Sequence, residues 1–418
     1  IKSLILMQAA ESLKDDLPVT GNIVNPTLPP NRIASVDVYR GFVMLLMMAE
    51  VLSLSDVSKV LPGNKFWEFL SFQQSHVPWI WLSLHDMIQP SFTFLVGVVL
   101  PYSIASRKNK GASVQNILIH TIKRSFILIF LGIFLRSMYS SQTNFTFEDT
   151  LTQIGLGYTF LVLISFYSQR VQIISLIVIL FSYTLAFALY PLPGNSFDYV
   201  SAGVSSDWEH NLTGFAAHWN KNTNLAWAFD QWFLNLFPRE SVFLFNSGGY
   251  STLSFIPTLG TMILGLLAGN YLSSSQTARK KLNFFLFSGL ALLVFGVLLH
   301  VSGLNPIVKR IWTPAWTIFS GGICFLFLAL FYGLIDMKGK HKGSFFLMVI
   351  GVNSIAAYVI ADGGMRNLIN DSLFIHLGEN FNQVFGSAYA TLISGGLVLL
   401  FEWLILYWMF KKKIFIKI

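Results

Sequence analysis

The chain has 418 residues, of which 54% are hydrophobic and only 11% charged, and its mean hydropathy is +0.59. Soluble domains average about 25% charged residues, so this balance excludes a string of soluble domains and indicates a polytopic membrane protein. The net charge of +8 sits in short basic clusters between apolar runs, as membrane topology requires, which leaves nucleic acid little weight as a partner; the single cysteine, Cys324, excludes a disulfide framework and a Cys-based metal site.

Residues 1–31 have a short, interrupted apolar start and end in the stretch LPVTGNIVNPTLPPN. They read as a flexible cytoplasmic arm and not as a signal peptide. A spanning helix needs about 20 mostly apolar residues. Ten segments qualify: 38–54, 82–105, 117–138, 150–168, 171–190, 252–272, 282–302, 311–335, 344–361 and 387–410. The expected fold is therefore an all-α transmembrane bundle of about ten helices, one domain over 32–413 with a short tail at 414–418.

Alternate connections carry Arg107, Lys108 and Lys110, then Arg170, then Arg279, Lys280 and Lys281, then Lys338, Lys340 and Lys342, then Lys411, Lys412 and Lys413. These fall on one side if both termini are cytoplasmic. The other side carries fewer bases, among them Lys309 and Arg310, and three long loops: 55–81, 191–251 and 362–386. The middle loop holds Trp208, Trp219, Trp227 and Trp232, and its stretch NLAWAFDQWFLNLF reads as an amphipathic interfacial helix. The tryptophans fit either an interfacial belt or stacking on a sugar ring.

The stretch QSHVPWIWLSLHDMIQPSFTFLVG (74–97) places His76, His85 and Asp86 at the outer start of the second span. Pro78 bars a continuous helix through this point. A carboxylate in the apolar layer costs about 2.5–3.5 kcal/mol, so Asp86 must face a partner or a wet cavity. Pro90 is expected to loosen the helix, and Gly97 to admit a close neighbour. A histidine oriented by a carboxylate is a natural general base, although ionisable pairs of this kind also serve structure alone. Asp37 and Arg40, three residues apart, read as a structural ion pair at the rim. Arg136 and Glu402 also need partners within the bundle. No Walker A loop, GxGxxG, HExxH or GxSxG is present.

Several stretches resemble the heparan-α-glucosaminide N-acetyltransferase-like membrane proteins. RIASVDVYRG fits their pattern R-x-x-S-x-D-x-x-R-G, and HVPWIWLSLHDMIQPSFTFLVG fits H-x-x-W-x(6)-D-x-x-x-P-x-F-x-F-x-x-G. The resemblance continues in order through TQIGLGY, NLAWAFD, GGYSTLSFIPTLGTMILGLLAG, IWTPAWTIFSGG and GVNSIAAYVI, covering about residues 32–362. It implies transfer of an acetyl group from cytoplasmic acetyl-CoA, as co-substrate and without a metal, to an amino sugar or glycan on the far side. His76 would be general base or acyl carrier, and Asp86 would orient it. Gln153, Trp312 and Asn353 become candidates for holding the oxyanion, with Glu50 and Asp230 as further acceptor-side candidates. Arg40, Arg107, Lys108, Lys123 and Arg124 are available to the CoA phosphates, although topology alone accounts for them.

The chain departs from that family's pattern twice. Glu50 and Val51 stand where it often has an asparagine, and Asn246-Ser247-Gly248-Gly249 where it often has Pro-Glu-Gly. The expected setting is a multi-pass protein of a bacterial inner membrane, with membrane lipids and a homodimer as further partners to test. Two other readings stand beside the enzyme: a transporter or flippase using Asp86, Arg136 and Glu402 as a proton or substrate path, and a non-catalytic relative.

Overall fold

The computed structural model describes residues 33–340 and 342–416, so the N-terminal arm expected over 1–31 lies outside the described residues. Among these the protein is all-helical, its only β-type pairing an isolated bridge between Ile80 and Val308. Seven helices are long and apolar enough to cross a membrane, and nine if two bent pairs each count as one span. The first bent pair is α1 (Ala34–Met48), extended by a turn at Ala49–Leu52, and α2 (Leu54–Val60), with a 41° change of direction at Ser53. Helix α3 (Lys65–Gln74) follows outside the spans. Next come α4 (Ile88–Asn109) and α5 (Val114–Ser137).

The segment expected over 150–168 forms α6 (Thr150–Ser165), of 16 residues. At about 1.5 Å per residue it falls short of a hydrocarbon core about 30 Å thick, so this expected span does not reach full length. Beyond it lie α7 (Gln169–Leu189), α8 (Leu225–Phe233), α9 (Phe255–Leu272), α10 (Ala278–Val301) and α11 (Pro314–Phe331). The span expected over 344–361 breaks at Val352 and Asn353 into α12 (Phe345–Gly351) and α13 (Ser354–Asp362), bent by 80°. Helices α14 (Met365–Leu377) and α15 (Ala390–Lys411) complete the bundle.

Glycine sets the centre of the bundle. A Cβ on Gly97 of α4 would lie 2.0 Å from the Met262 carbonyl oxygen of α9, and one on Gly265 would lie 1.9 Å from that of Phe94. The two backbones therefore touch, which only small residues allow. Helix α9 is the most buried of the long helices, while α7, α10 and α15 turn most of their apolar surface outward, as lipid-facing helices do. Pro90 does not loosen α4. It sits in the first turn, where a missing N–H costs no hydrogen bond, and the proline inside the helix is Pro101.

The middle loop is partly its own core. Trp219 is fully buried and stacks on Phe187 at 4.4 Å, and its carbonyl accepts a hydrogen bond from the buried Trp79 indole at 3.2 Å. The expected amphipathic helix is α8, capped by Asn224, whose Oδ1 accepts from the Trp227 N–H. Of the four tryptophans only Trp232 is strongly exposed.

Candidate active site

His76 lies just past α3 on a segment that cannot be helical because of Pro78. That segment is pinned on both sides. Trp79 is locked by Trp219, and Ile80 bridges Val308 while the Trp81 N–H donates to the Ile307 carbonyl at 3.1 Å. The chain then turns through His85–Met87 into α4, which brings Asp86 back under His76. The His76 Nδ1 to Asp86 Oδ1 distance is 2.7 Å. The other carboxylate oxygen accepts from the Ser83 N–H at 3.0 Å and the Val77 N–H at 3.3 Å.

A third partner comes from the connection between α10 and α11. Thr313 caps α11 through the Trp316 N–H, accepts from the Val308 N–H and donates to the Pro306 carbonyl. This tight loop presents Lys309, whose buried ammonium lies 3.1 Å from Asp86 Oδ1 and 3.2 Å from His76 Nδ1. Arg310 beside it donates to the carbonyls of Val77 and Gly248 and covers the Tyr250 ring at 5.0 Å. It thereby ties the 246–250 turn to the His76 segment.

A second network adjoins the first. The His85 ring lies 4.5 Å from the His76 ring, and its Nε2 is 3.2 Å from Glu50. Arg366 of α14 reaches Glu50 and Glu402, each at 3.6 Å, and donates to the carbonyls of Met47 and Met48. Glu402, deep in α15, thus has its counter-ion in Arg366.

His76, His85, Glu50, Lys309 and Arg366 line one cavity of about 530 Å³, which Gln74, Gln89, Arg136, Glu148, Asp149, Tyr250, Tyr358 and Asp362 also face. Such a volume suits a small ligand or one end of a larger one. Its walls come from the ends of α1, α5 and α13 and the starts of α4 and α6.

Of the residues singled out in the sequence, His76, Asp86 and Glu50 come together here. Gln153 is buried and donates to the carbonyls of Phe147, Ser251 and Thr252. The Trp312 indole donates to Thr261 at 3.1 Å. Asn353, at the break between α12 and α13, bonds the carbonyl of Ile414 and the N–H of Ile416, holding the C-terminal segment. These three donors are occupied by protein, and none of the three residues lines the cavity. Asp230 lines a neighbouring cavity.

The bases proposed for CoA lie at the opposite end of the bundle. Arg124 donates to the Tyr158 hydroxyl and lies over its ring, Arg107 contacts His120 at 3.0 Å, and Lys108 lies over the Phe166 ring. Arg40 pairs with Asp37 at 3.2 Å as the three-residue spacing predicts, and Lys123, on α5, is exposed. None of these bases lines the cavity. Among the described residues no group of three His, Cys, Asp or Glu side chains is placed to hold a metal ion.

Lys309, His85 and Arg366 were not read from the sequence as site residues. The usable signal was position: Lys309 and Arg366 fall on the expected base-poor side, where topology gives no reason for a positive charge.

Burial holds the His76 imidazole below its ordinary pKa; the Asp86 hydrogen bond opposes this, and the Lys309 charge adds to it. The ring is neutral at neutral pH, and with the Nδ1–H donated to Asp86 the Nε2 lone pair is free to accept a proton. Lys309→Met removes a charge that disfavours imidazolium, so the His76 pKa rises. The acidic limb of the kcat/KM profile should move to higher pH. A limb that stays in place would show that Lys309 does not set the protonation of His76.

The fold and this cluster define a polytopic helical membrane protein with a histidine–carboxylate–lysine group at one end of the bundle. The chain is related to heparan-alpha-glucosaminide N-acetyltransferase, the family its motifs resemble. It is 26% identical to the mouse protein over 367 residues and 26% identical to the human protein over 369 residues, in each case 79% of this chain. The chain spans about half the length of these relatives, 53% of each. No protein-family model matches the chain.

Proposed function

We propose that the protein is a membrane acetyltransferase. Acetyl-CoA is the donor and approaches from the Arg107 end, taken as cytoplasmic. An amino sugar or glycan is the acceptor and binds in the cavity at the other end. The acceptor nitrogen attacks the thioester carbonyl carbon, the C–N bond forms and the C–S bond breaks. His76 Nε2 takes the proton that the nitrogen loses, and the departing thiolate takes up a proton to become the CoA thiol. Asp86 holds the ring by Nδ1 and balances the transient imidazolium. Direct attack is favoured over an acetyl-histidine because it requires no separate stable acyl-imidazole.

The observation that carries this reading is the 2.7 Å contact between His76 Nδ1 and Asp86 on the wall of a polar cavity. The relatives' name supports the choice of group transferred. Gln89 at the cavity and Arg107 at the far end stand about 27 Å apart along α4. The thioester must therefore extend through the bundle to reach His76.

The test is purified protein in liposomes with labelled acetyl-CoA and a panel of amino sugars. N-acetylated product is expected. Proton-coupled uptake of the sugar without acetylation would replace this reading with transport. A structure with CoA bound is expected to place the nucleotide at the Arg107 end and the sulfur beside His76.

A further inference from the structure

The cavity wall carries a second histidine–carboxylate pair. His85 opens the turn into α4, and its ring lies 4.5 Å from that of His76. The two rings are held through opposite nitrogens: His76 by Asp86 at Nδ1, and His85 by Glu50 at Nε2, 3.2 Å from Oε1. In a neutral ring the nitrogen facing a carboxylate carries the hydrogen and the other carries the lone pair. His76 therefore offers Nε2 and His85 offers Nδ1, and both residues line the same cavity. Among the described residues no group hydrogen-bonds His85 Nδ1. Glu50 divides its two oxygens, Oε1 to His85 and Oε2 to Arg366. It is also one of the two departures from the family pattern, which often has an asparagine there. An amide could hold the ring but not balance a charge on it.

The chemistry calls for a second base. An amine with a pKa near that of an α-amino group, about 7.7–8.0, is mostly ammonium at neutral pH. An ammonium has no lone pair and cannot attack. It must lose one proton before attack and another as the C–N bond forms. Only one of the two is taken up again, by the CoA thiolate. His76 holds one proton at a time, so with the first on its Nε2 it has no lone pair for the second. Charges of both signs face this wall. Lys309, Arg366 and Arg136 oppose a proton on either ring, while Glu50, Asp86, Glu148, Asp149 and Asp362 favour one. Among the described residues only Glu50 pairs with His85.

We propose that His85 is a second base, which takes the first proton from the acceptor's ammonium and leaves His76 free for the second. Glu50 is its positioning residue. His85 Nδ1 accepts the ammonium proton, and the freed amine attacks the thioester carbon. His76 Nε2 then takes the remaining proton as the C–S bond breaks, and passes it to the thiolate. His85 returns its proton to water when the product leaves, so the whole reaction releases one proton. This rests on the acetyltransferase reading and adds to it how the acceptor is deprotonated.

The test is the kcat/KM profile for acetylation of glucosamine by wild type and His85→Gln, from below to above the pKa of the sugar amine. One pH unit below that pKa only about a tenth of the amine is neutral. The variant can use that tenth alone, so it should be about tenfold slower there and should rejoin wild type above the pKa. Glu50→Gln, at a side chain 41% exposed, should show the same pH-dependent deficit and decides the matter if His85→Gln does not fold. A deficit of equal size at every pH would mean that His85 serves structure alone, and a wild-type profile would mean that it serves neither; both overturn the proposal and leave the acetyltransferase intact. No transfer by wild type at any pH would bring down both.

Discussion

Replacing His76 with alanine is expected to lower acetyl transfer by about 10²- to 10⁴-fold, the usual contribution of a positioned general base. Its side chain is 39% exposed and stands on the cavity wall, not in the packed core. The fold should therefore survive, at a cost of about 1–3 kcal/mol for the hydrogen bond that the buried Asp86 loses. Binding of acetyl-CoA should change little, because the bases assigned to its phosphates lie at the other end of the bundle. The measurements are single-turnover transfer of a labelled acetyl group and equilibrium binding of CoA on the same preparation. If the alanine protein transfers at the wild-type rate, His76 is not the base, and the proposed mechanism loses its centre.

The second large effect is expected at Asp86, on both stability and rate. One carboxylate oxygen faces two donors, His76 Nδ1–H and the Lys309 ammonium; the other faces the Ser83 and Val77 N–H groups. An asparagine has one acceptor oxygen and one NH₂ group, so Asp86→Asn can satisfy only one side. If its oxygen keeps the backbone pair, its NH₂ faces His76 and forces the proton onto Nε2, which removes the lone pair that the reaction needs. Turnover should then fall by up to about 10⁴-fold, the scale seen when a catalytic histidine is held in the wrong tautomer. If the oxygen instead keeps His76 and Lys309, two buried N–H groups are stranded. Either way Lys309, 5% exposed, loses its counter-charge. Breaking a buried pair from one side costs about 3–5 kcal/mol. A large drop in the thermal midpoint together with the loss of rate is expected. Normal turnover would remove Asp86 from the mechanism, and normal stability would show that Lys309 finds another counter-ion.

The difference between His76 and Asp86 follows from burial. The same dyad holds one member that is half open to the cavity and one that is sealed, so deleting the first costs mainly function and deleting the second costs function and fold. Lys309→Met belongs with the second in stability, but its signature is the shift of the acidic limb.

Much of this protein was readable along the chain because membrane insertion is enforced locally. Each spanning segment must be apolar over its own length, and each ionisable group inside one must be accounted for. That is enough to give the helical class, nearly all the spans and the pairing of His76 with Asp86 across a proline-broken turn. What the tertiary structure alone decided is which distant groups complete the site and which nearby candidates are already spent. Lys309 reaches Asp86 across 223 positions of sequence, and Arg366 reaches the end of α1 across more than 300. Gln153, Trp312 and Asn353 looked equally available, yet each gives its hydrogen bonds to the protein. Hydropathy and spacing describe a residue by its neighbours in the chain, whereas a buried polar group is satisfied by whatever the packing of helices sets beside it. The glycine contacts between α4 and α9, and the stapled loop before α11, set those neighbours.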